Sequence, residues 1–146
     1  MIGITDFDGV GIQLFQRFLF GFFAHPVELL DPGVKLNGEL TMGENIADLG
    51  GVVLALEAYQ TSLKGEPAPV IDGFTGEQRV LLGWAQAWRG KGSDDFVRKQ
   101  VVSDPHSPRQ FRVNGPMRNV DAWYDAFKIE SGDKLFVAPN DRVRIW

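Results

Sequence analysis

The sequence contains no cysteine, which excludes disulfide bonds and any metal site built on thiolates. Histidine is also scarce and occurs only at His25 and His106. Basic residues do not predominate, because 15 Lys and Arg stand against 19 Asp and Glu and give a net charge of −4. A chain of this charge without a basic stripe is not expected to have nucleic acid as its main partner.

Long hydrophobic runs are missing as well. The longest candidate, Phe18 to Ala24, is far shorter than the roughly 20 residues that cross a bilayer, so no membrane span is predicted. A signal peptide is not predicted either, because Asp6 and Asp8 stand where basic residues are needed. The sequence therefore leaves the compartment open, since a cysteine-free chain is compatible with either redox environment.

The 146 residues fit one domain with a core of its own. Apolar spacing and capping residues predict successive helices, so the fold class is mainly α. Within residues 36–146 the first helix runs from Thr41 to about Ser62, the second follows Thr75 to about Arg89, the third extends from Ser93 to Val102, and the last begins at Asn119. An exposed linker with two prolines is expected over residues 64–73.

Residues 1–35 form a separate segment rich in phenylalanine, whereas residues 36–146 carry the regular helical pattern. A helix is predicted over residues 12–30, with more apolar residues than one stripe holds. Because large exposed apolar patches are uncommon on monomers, we expect this segment to form a homo-oligomer contact or to cover residues 41–62. The segment that contains Asp6 and Asp8 also resembles the nucleophile loop of haloacid-dehalogenase-like phosphatases, in which the first Asp attacks phosphorus and the second acts as acid and base. This minor alternative lacks the alternation of strands and helices that the phosphatase fold requires.

Two acids, Glu44 and Asp48, stand four residues apart in the helix predicted from Thr41 to about Ser62, so both should face the same object. Like charges at this spacing repel, and a cation or a hydrogen-bond donor between them is expected. Thr41 followed by Glu44 is also a capping-box pattern, in which the Glu44 carboxylate would reach back to the backbone of Thr41. Spacing alone leaves a capping role and a metal-binding role open.

His106 lies between Pro105 and Pro108 in a segment that we predict to be a stiff, non-helical loop, with Asp104 before it and Arg112 after it. Stiffened loops often present functional groups, although a surface turn with a solvated histidine has the same sequence pattern.

Together these segments resemble the C-terminal part of the neprilysin-like zinc metallopeptidases. The similarity is carried by the runs LNGELTMGENIADLGG from residue 36, AQAW from residue 85, DPHSP from residue 104, FRVNG from residue 111 and RIW at the end. The resemblance implies the helical C-terminal portion of a gluzincin-type catalytic domain, with zinc as cofactor and a peptide as substrate.

The resemblance also implies a role for each matching residue. Glu44 would be a ligand of the catalytic zinc, and Asp48 would orient one of the zinc-binding histidines. His106, oriented by Asp104, would stabilise the oxyanion that forms when zinc-activated water attacks the peptide carbonyl, and Arg112 would hold a carbonyl of the substrate.

Residues 1–35 do not match the family pattern. The more important departure is that the sequence contains no H-E-x-x-H motif. Two zinc ligands and the general base are therefore missing, and we expect a fragment or degenerate copy that is inactive alone. The alternative is a non-catalytic helical module that keeps the fold and binds a partner. Ile129 and Val143 stand where extracellular members of the family carry a cysteine pair, which favours a bacterial, disulfide-free member.

Overall fold

Five α-helices follow one another in residues 36–145, the part of the chain that the computed structural model describes. They are α1 (Gly38–Ser62), α2 (Gly76–Ala87), α3 (Asp94–Ser103), α4 (Arg109–Met117) and α5 (Asp121–Phe127), and a 3-10 turn, Pro139–Asp141, follows them. Within this part of the chain the only extended pairing is an isolated bridge between Ile71 and Phe74. The predicted mainly α fold is confirmed.

Helix α1 is continuous through Glu44 and Asp48, as predicted, but it begins one turn earlier than expected. Its N-cap is Asn37, whose side-chain oxygen accepts a hydrogen bond of 3.1 Å from the backbone N–H of Leu40. The predicted capping box of Thr41 and Glu44 is wrong, because Thr41 lies inside the helix and its hydroxyl donates to the backbone oxygen of Asn37. Glu44 is therefore not needed for capping.

The caps of α2 and α3 agree with the sequence. Thr75 and Gln78 form a reciprocal capping box at the start of α2, and the Ser93 hydroxyl accepts from the backbone N–H of Phe96 at the start of α3. Side-chain oxygens at these positions satisfy amides that have no partner within the helix. The two helices end within about two residues of their predicted limits.

The segment after His106 differs from the prediction, because Arg112 lies on helix α4 and not on a loop. The sequence signal was misleading, since the loop was predicted from Pro105 and Pro108, which suggest irregular structure. Pro108 is instead the residue before the first turn of α4. Pro116 lies near the helix end and, because it has no N–H, cannot donate a hydrogen bond to the backbone oxygen of Arg112. The indole N–H of Trp84 in α2 donates to that oxygen at 3.0 Å and replaces the lost bond.

Helix α5 also starts differently, because Val120 and not Asn119 is its N-cap. The buried Asn119 side chain donates to the oxygen of Gly115 and accepts from the backbone N–H of Val143. Asn119 thus connects the end of α4 to the C-terminal tail. Val143 belongs to the core, which suits an apolar residue at this position.

The core lies where α1 packs against α2 and α4, and α2 packs against α5. Burying each of its large side chains stabilises the fold by about 1.5–3 kcal/mol. The buried members are Leu49, Val52, Leu56, Leu81, Met117, Val120 and Val143. The predicted Phe-rich helix and the acids Asp6 and Asp8 lie outside the described residues. Among the helices of residues 36–145, none is long and apolar enough to cross a membrane.

Candidate functional site

Glu44 and Asp48 lie one turn apart on the same side of α1, but their surroundings differ. The side chain of Asp48 is only 5% exposed, whereas that of Glu44 is 42% exposed. Asp48 is thus enclosed by the protein, whereas Glu44 faces a surface that other groups can reach.

The partner of Asp48 is Arg112 on α4. The Arg112 Nε and NH2 groups each donate to one carboxylate oxygen of Asp48, both at 2.7 Å, in the bidentate geometry that favours arginine. The guanidinium also lies 3.8 Å from the ring centre of Trp88, which adds a cation–π contact. The cation expected between the two acids is therefore Arg112.

His106 is held by Asp104, as its sequence position suggested. One carboxylate oxygen of Asp104 accepts from the backbone N–H of His106 and contacts the ring Nδ1, both at 2.8 Å. The hydrogen bond from the backbone N–H, followed by the contact with the ring, lowers the pKa of Asp104 below its ordinary value. Asp104 therefore stays ionised and fixes the direction of the imidazole.

The ring is directed at Glu44, with 3.2 Å between His106 Nε2 and Glu44 Oε2. Arg112 NH2 lies 4.0 Å from the same carboxylate oxygen. The structure thus brings together all four residues that the sequence singled out, Glu44, Asp48, His106 and Arg112. Two helices and one loop contribute to this cluster, in which a guanidinium and an imidazole lie beside one accessible carboxylate.

Zinc fits this cluster only in part. A catalytic zinc site takes three protein ligands, and Glu44 offers one carboxylate of the kind that zinc binds. In residues 36–145 no three histidine or acidic side chains converge as a metal-binding group. Both carboxylate oxygens of Asp48 already accept hydrogen bonds from Arg112, and its side chain is buried. The described residues alone therefore do not form a three-ligand group of this kind.

Two residues at the site were not assigned a role from the sequence. The hydroxyl of Ser107 donates to Asn45 Oδ1 at 2.9 Å, and both side chains are buried. Asparagine and serine are common both inside and outside functional sites, so the sequence alone gave no signal for this contact.

The family of the chain follows from comparison with known proteins. The model of peptidase family M13 matches residues 16–143. The chain belongs to peptidase family M13. Its resemblance to neprilysin-like zinc metallopeptidases is thereby confirmed.

Curated relatives agree with this assignment. Neprilysin-1 of Caenorhabditis elegans is 36% identical over 125 residues, which cover 82% of this chain and 16% of that protein. A neutral endopeptidase of Lactococcus lactis subsp. cremoris is 36% identical over 110 residues, covering 75% of this chain and 16% of the relative. The chain thus spans about a sixth of the length of these relatives.

Solved structures of the zinc metalloprotease Zmp1 of Mycobacterium tuberculosis are also similar. The crystal structure of its inhibitor complex has a TM-score of 0.86 and 49% sequence identity, with 95% of this chain and 22% of that chain covered. Its open state, determined by electron cryomicroscopy, gives a TM-score of 0.84 with 47% identity, over 95% of this chain and 23% of the other.

Proposed function

We propose that this chain supplies the C-terminal part of the active site of an M13 zinc endopeptidase. Glu44 would contribute one zinc ligand, and an H-E-x-x-H segment that this sequence does not contain would contribute the other two and the general base. The isolated chain would then be inactive. Zinc, when bound, would polarise the scissile carbonyl of a peptide and activate the attacking water.

The observation that carries the proposal is the convergence of Glu44, Asp48, His106 and Arg112. These residues come from motifs about 60 positions apart, yet His106 Nε2 and Arg112 NH2 approach the same Glu44 oxygen at 3.2 and 4.0 Å. A half-exposed carboxylate beside an imidazole of fixed direction adds little to the stability of a core. The cluster suits a site at which negative charge develops.

In the proposed site each side chain has a separate task. His106, whose ring direction Asp104 fixes, would donate to the carbonyl oxygen of the substrate as that oxygen becomes negative. Arg112 is fixed by Asp48 and Trp88, and its NH2 group, which faces Glu44, would hold a neighbouring substrate carbonyl. Asp48 would complete the arrangement by accepting a hydrogen bond from a zinc-binding histidine as well as from Arg112.

A chimera tests this proposal. Residues 16–143 replace the corresponding part of the M. tuberculosis enzyme, which supplies its own H-E-x-x-H segment. The chimera is expected to hold one zinc ion per chain and to cleave a quenched peptide. Glu44→Gln should remove the zinc, whereas His106→Gln should keep it and lower kcat by about 10²–10³-fold.

Glu57→Gln serves as the matched control, because Glu57 is an exposed acid of the same helix. This variant should retain both zinc and activity. Undiminished zinc content in the Glu44→Gln chimera would contradict the proposed ligand, and unchanged kcat in the His106→Gln chimera would contradict the role of the imidazole.

A further inference from the structure

The contact between Asn45 and Ser107 joins the two segments that carry the candidate site. Ser107 is 0% exposed and Asn45 is 3% exposed, and the Ser107 hydroxyl donates to Asn45 Oδ1 at 2.9 Å across 62 positions of sequence. Each partner is the direct neighbour of a site residue, because Asn45 follows Glu44 and Ser107 follows His106. We propose that this hydrogen bond positions His106 relative to Glu44.

The backbone of the loop offers few other means of attachment. Pro105 and Pro108 flank His106 and Ser107, and neither proline has an N–H with which to bind α1. The N–H of His106 is used within the loop by Asp104. The contacts that the structure shows from this loop to α1 are made by side chains.

The two side-chain contacts from the loop to α1 differ in strength. His106 and Glu44 form a pair in which both side chains are 42% exposed, and such pairs contribute little in water. The Asn45–Ser107 bond is buried, and breaking it would leave a polar group without a partner. The buried bond is therefore the one that sets the 3.2 Å separation at the surface.

Asn45 Nδ2 is buried as well and has no hydrogen-bond partner among the described residues. Only the oxygen of this amide is used, in the bond to Ser107. If Asn45 served packing alone, its unsatisfied buried donor would destabilise the fold with no compensating interaction. The arrangement agrees with selection for the oxygen and its contact with the loop.

The test uses nuclear magnetic resonance on the whole zinc-free chain with labelled histidine. A His25→Gln background leaves His106 as the only histidine, so its ring protons are assigned without ambiguity. A cross-peak between the His106 ring and the Glu44 side chain is expected. Ser107→Ala and Asn45→Ala should each abolish this cross-peak while the signals of the core remain.

Two controls separate positioning from general stability. Ser103→Ala removes a hydroxyl that donates to the oxygen of Lys99 within α3, and it should leave the cross-peak intact. Val143→Ala weakens the core away from the loop and should also leave the cross-peak intact. Wild-type cross-peaks in both Ser107→Ala and Asn45→Ala would overturn the inference, as would their loss in Val143→Ala.

The catalytic meaning of this inference rests on the proposed function, and a second measurement addresses it. In the chimera, Ser107→Ala should keep the zinc content and the KM of the parent. It should lower kcat by about tenfold or more, because a misplacement of about 1 Å can cost up to ~10²-fold. The resonance experiment needs neither zinc nor activity. It can therefore fail or succeed independently of Glu44 as a zinc ligand.

Discussion

Asp48 and Arg112, 64 positions apart, are joined by two hydrogen bonds of 2.7 Å between the carboxylate and the guanidinium. The pair ties α1 to α4 and is almost completely removed from water, with side-chain exposures of 5% and 13%. The NH2 group that donates to Asp48 also lies 4.0 Å from Glu44 Oε2. Stability and site geometry therefore depend on the same contact.

Removing Arg112 should destabilise the chain strongly. Arg112→Ala leaves the Asp48 carboxylate buried without its partner, and loss of one member of a buried pair typically costs about 3–5 kcal/mol. Arg112→Lys should recover only part of this loss, because an ammonium cannot form the bidentate pair or stack on Trp88 in the same way. Urea unfolding of the two variants measures both effects.

The matched control for this prediction is Arg144→Ala. Arg144 also pairs with an aspartate, but both side chains of that pair are about half exposed. Exposed pairs contribute about 0–1 kcal/mol, so the control should unfold close to wild type. Equal losses in Arg112→Ala and Arg144→Ala would contradict the importance assigned to burial of the Asp48 pair.

The start of α1 gives a second prediction, which separates two interpretations of the sequence. Asn37→Ala removes the side-chain cap on the N–H of Leu40 and should lower the free energy of unfolding by about 1 kcal/mol. Glu44→Ala should not have a capping effect, since Glu44 lies within the helix. Thermal unfolding of both variants measures the two losses of stability. A capping box at Thr41 would require a larger loss in Glu44→Ala than in Asn37→Ala.

The geometry of α1 was predictable because the period of a helix places Glu44 and Asp48 on one face whatever surrounds them. Their partners were not predictable from local pattern. Asp48 is matched by a residue 64 positions away, and its pairing depends on how α1 and α4 pack. Only the family resemblance brought Arg112 and His106 into consideration with the two acids.

Helix α4 was missed for a related reason. Pro105 and Pro108 favour a loop locally, but the chain after them is helical, and the backbone bond that Pro116 cannot make to Arg112 is replaced by Trp84 from another helix. Asn119 was similarly assigned to a cap, whereas tertiary contacts with Gly115 and Val143 use its side chain. Local propensity fails where a distant residue satisfies the backbone or the cap.

The C-terminal tail gives a prediction on pH. Asp121 accepts hydrogen bonds from Arg144 and Arg142, and these bonds, chiefly the first, lower the pKa of Asp121 below its ordinary value. A lowered pKa in the folded state means that the carboxylate stabilises the fold at pH values above the unfolded pKa of about 3.9. This stabilisation is lost as the pH falls further, through the lowered pKa.

Comparison of Asp121→Asn with wild type isolates this contribution. The wild type should have a slightly higher urea midpoint at about pH 6, because the pair with Arg144 is half exposed, and the difference should shrink as the pH falls below about 4. Asp125→Asn is the control, because Asp125 is an exposed acid of the same helix. A difference between Asp121→Asn and wild type that stays constant over this range would contradict the assignment.

The central claim is that this chain contributes one zinc ligand, Glu44, to a site that other residues must complete. Calorimetry of the isolated 146-residue chain with zinc at neutral pH tests it most directly, alongside a quenched-peptide assay. We predict neither tight stoichiometric binding nor cleavage, because one carboxylate cannot form the three-ligand set of catalytic zinc. Stoichiometric binding at nanomolar affinity that Glu44→Ala abolishes would contradict the claim, since the remaining ligands would then come from this chain.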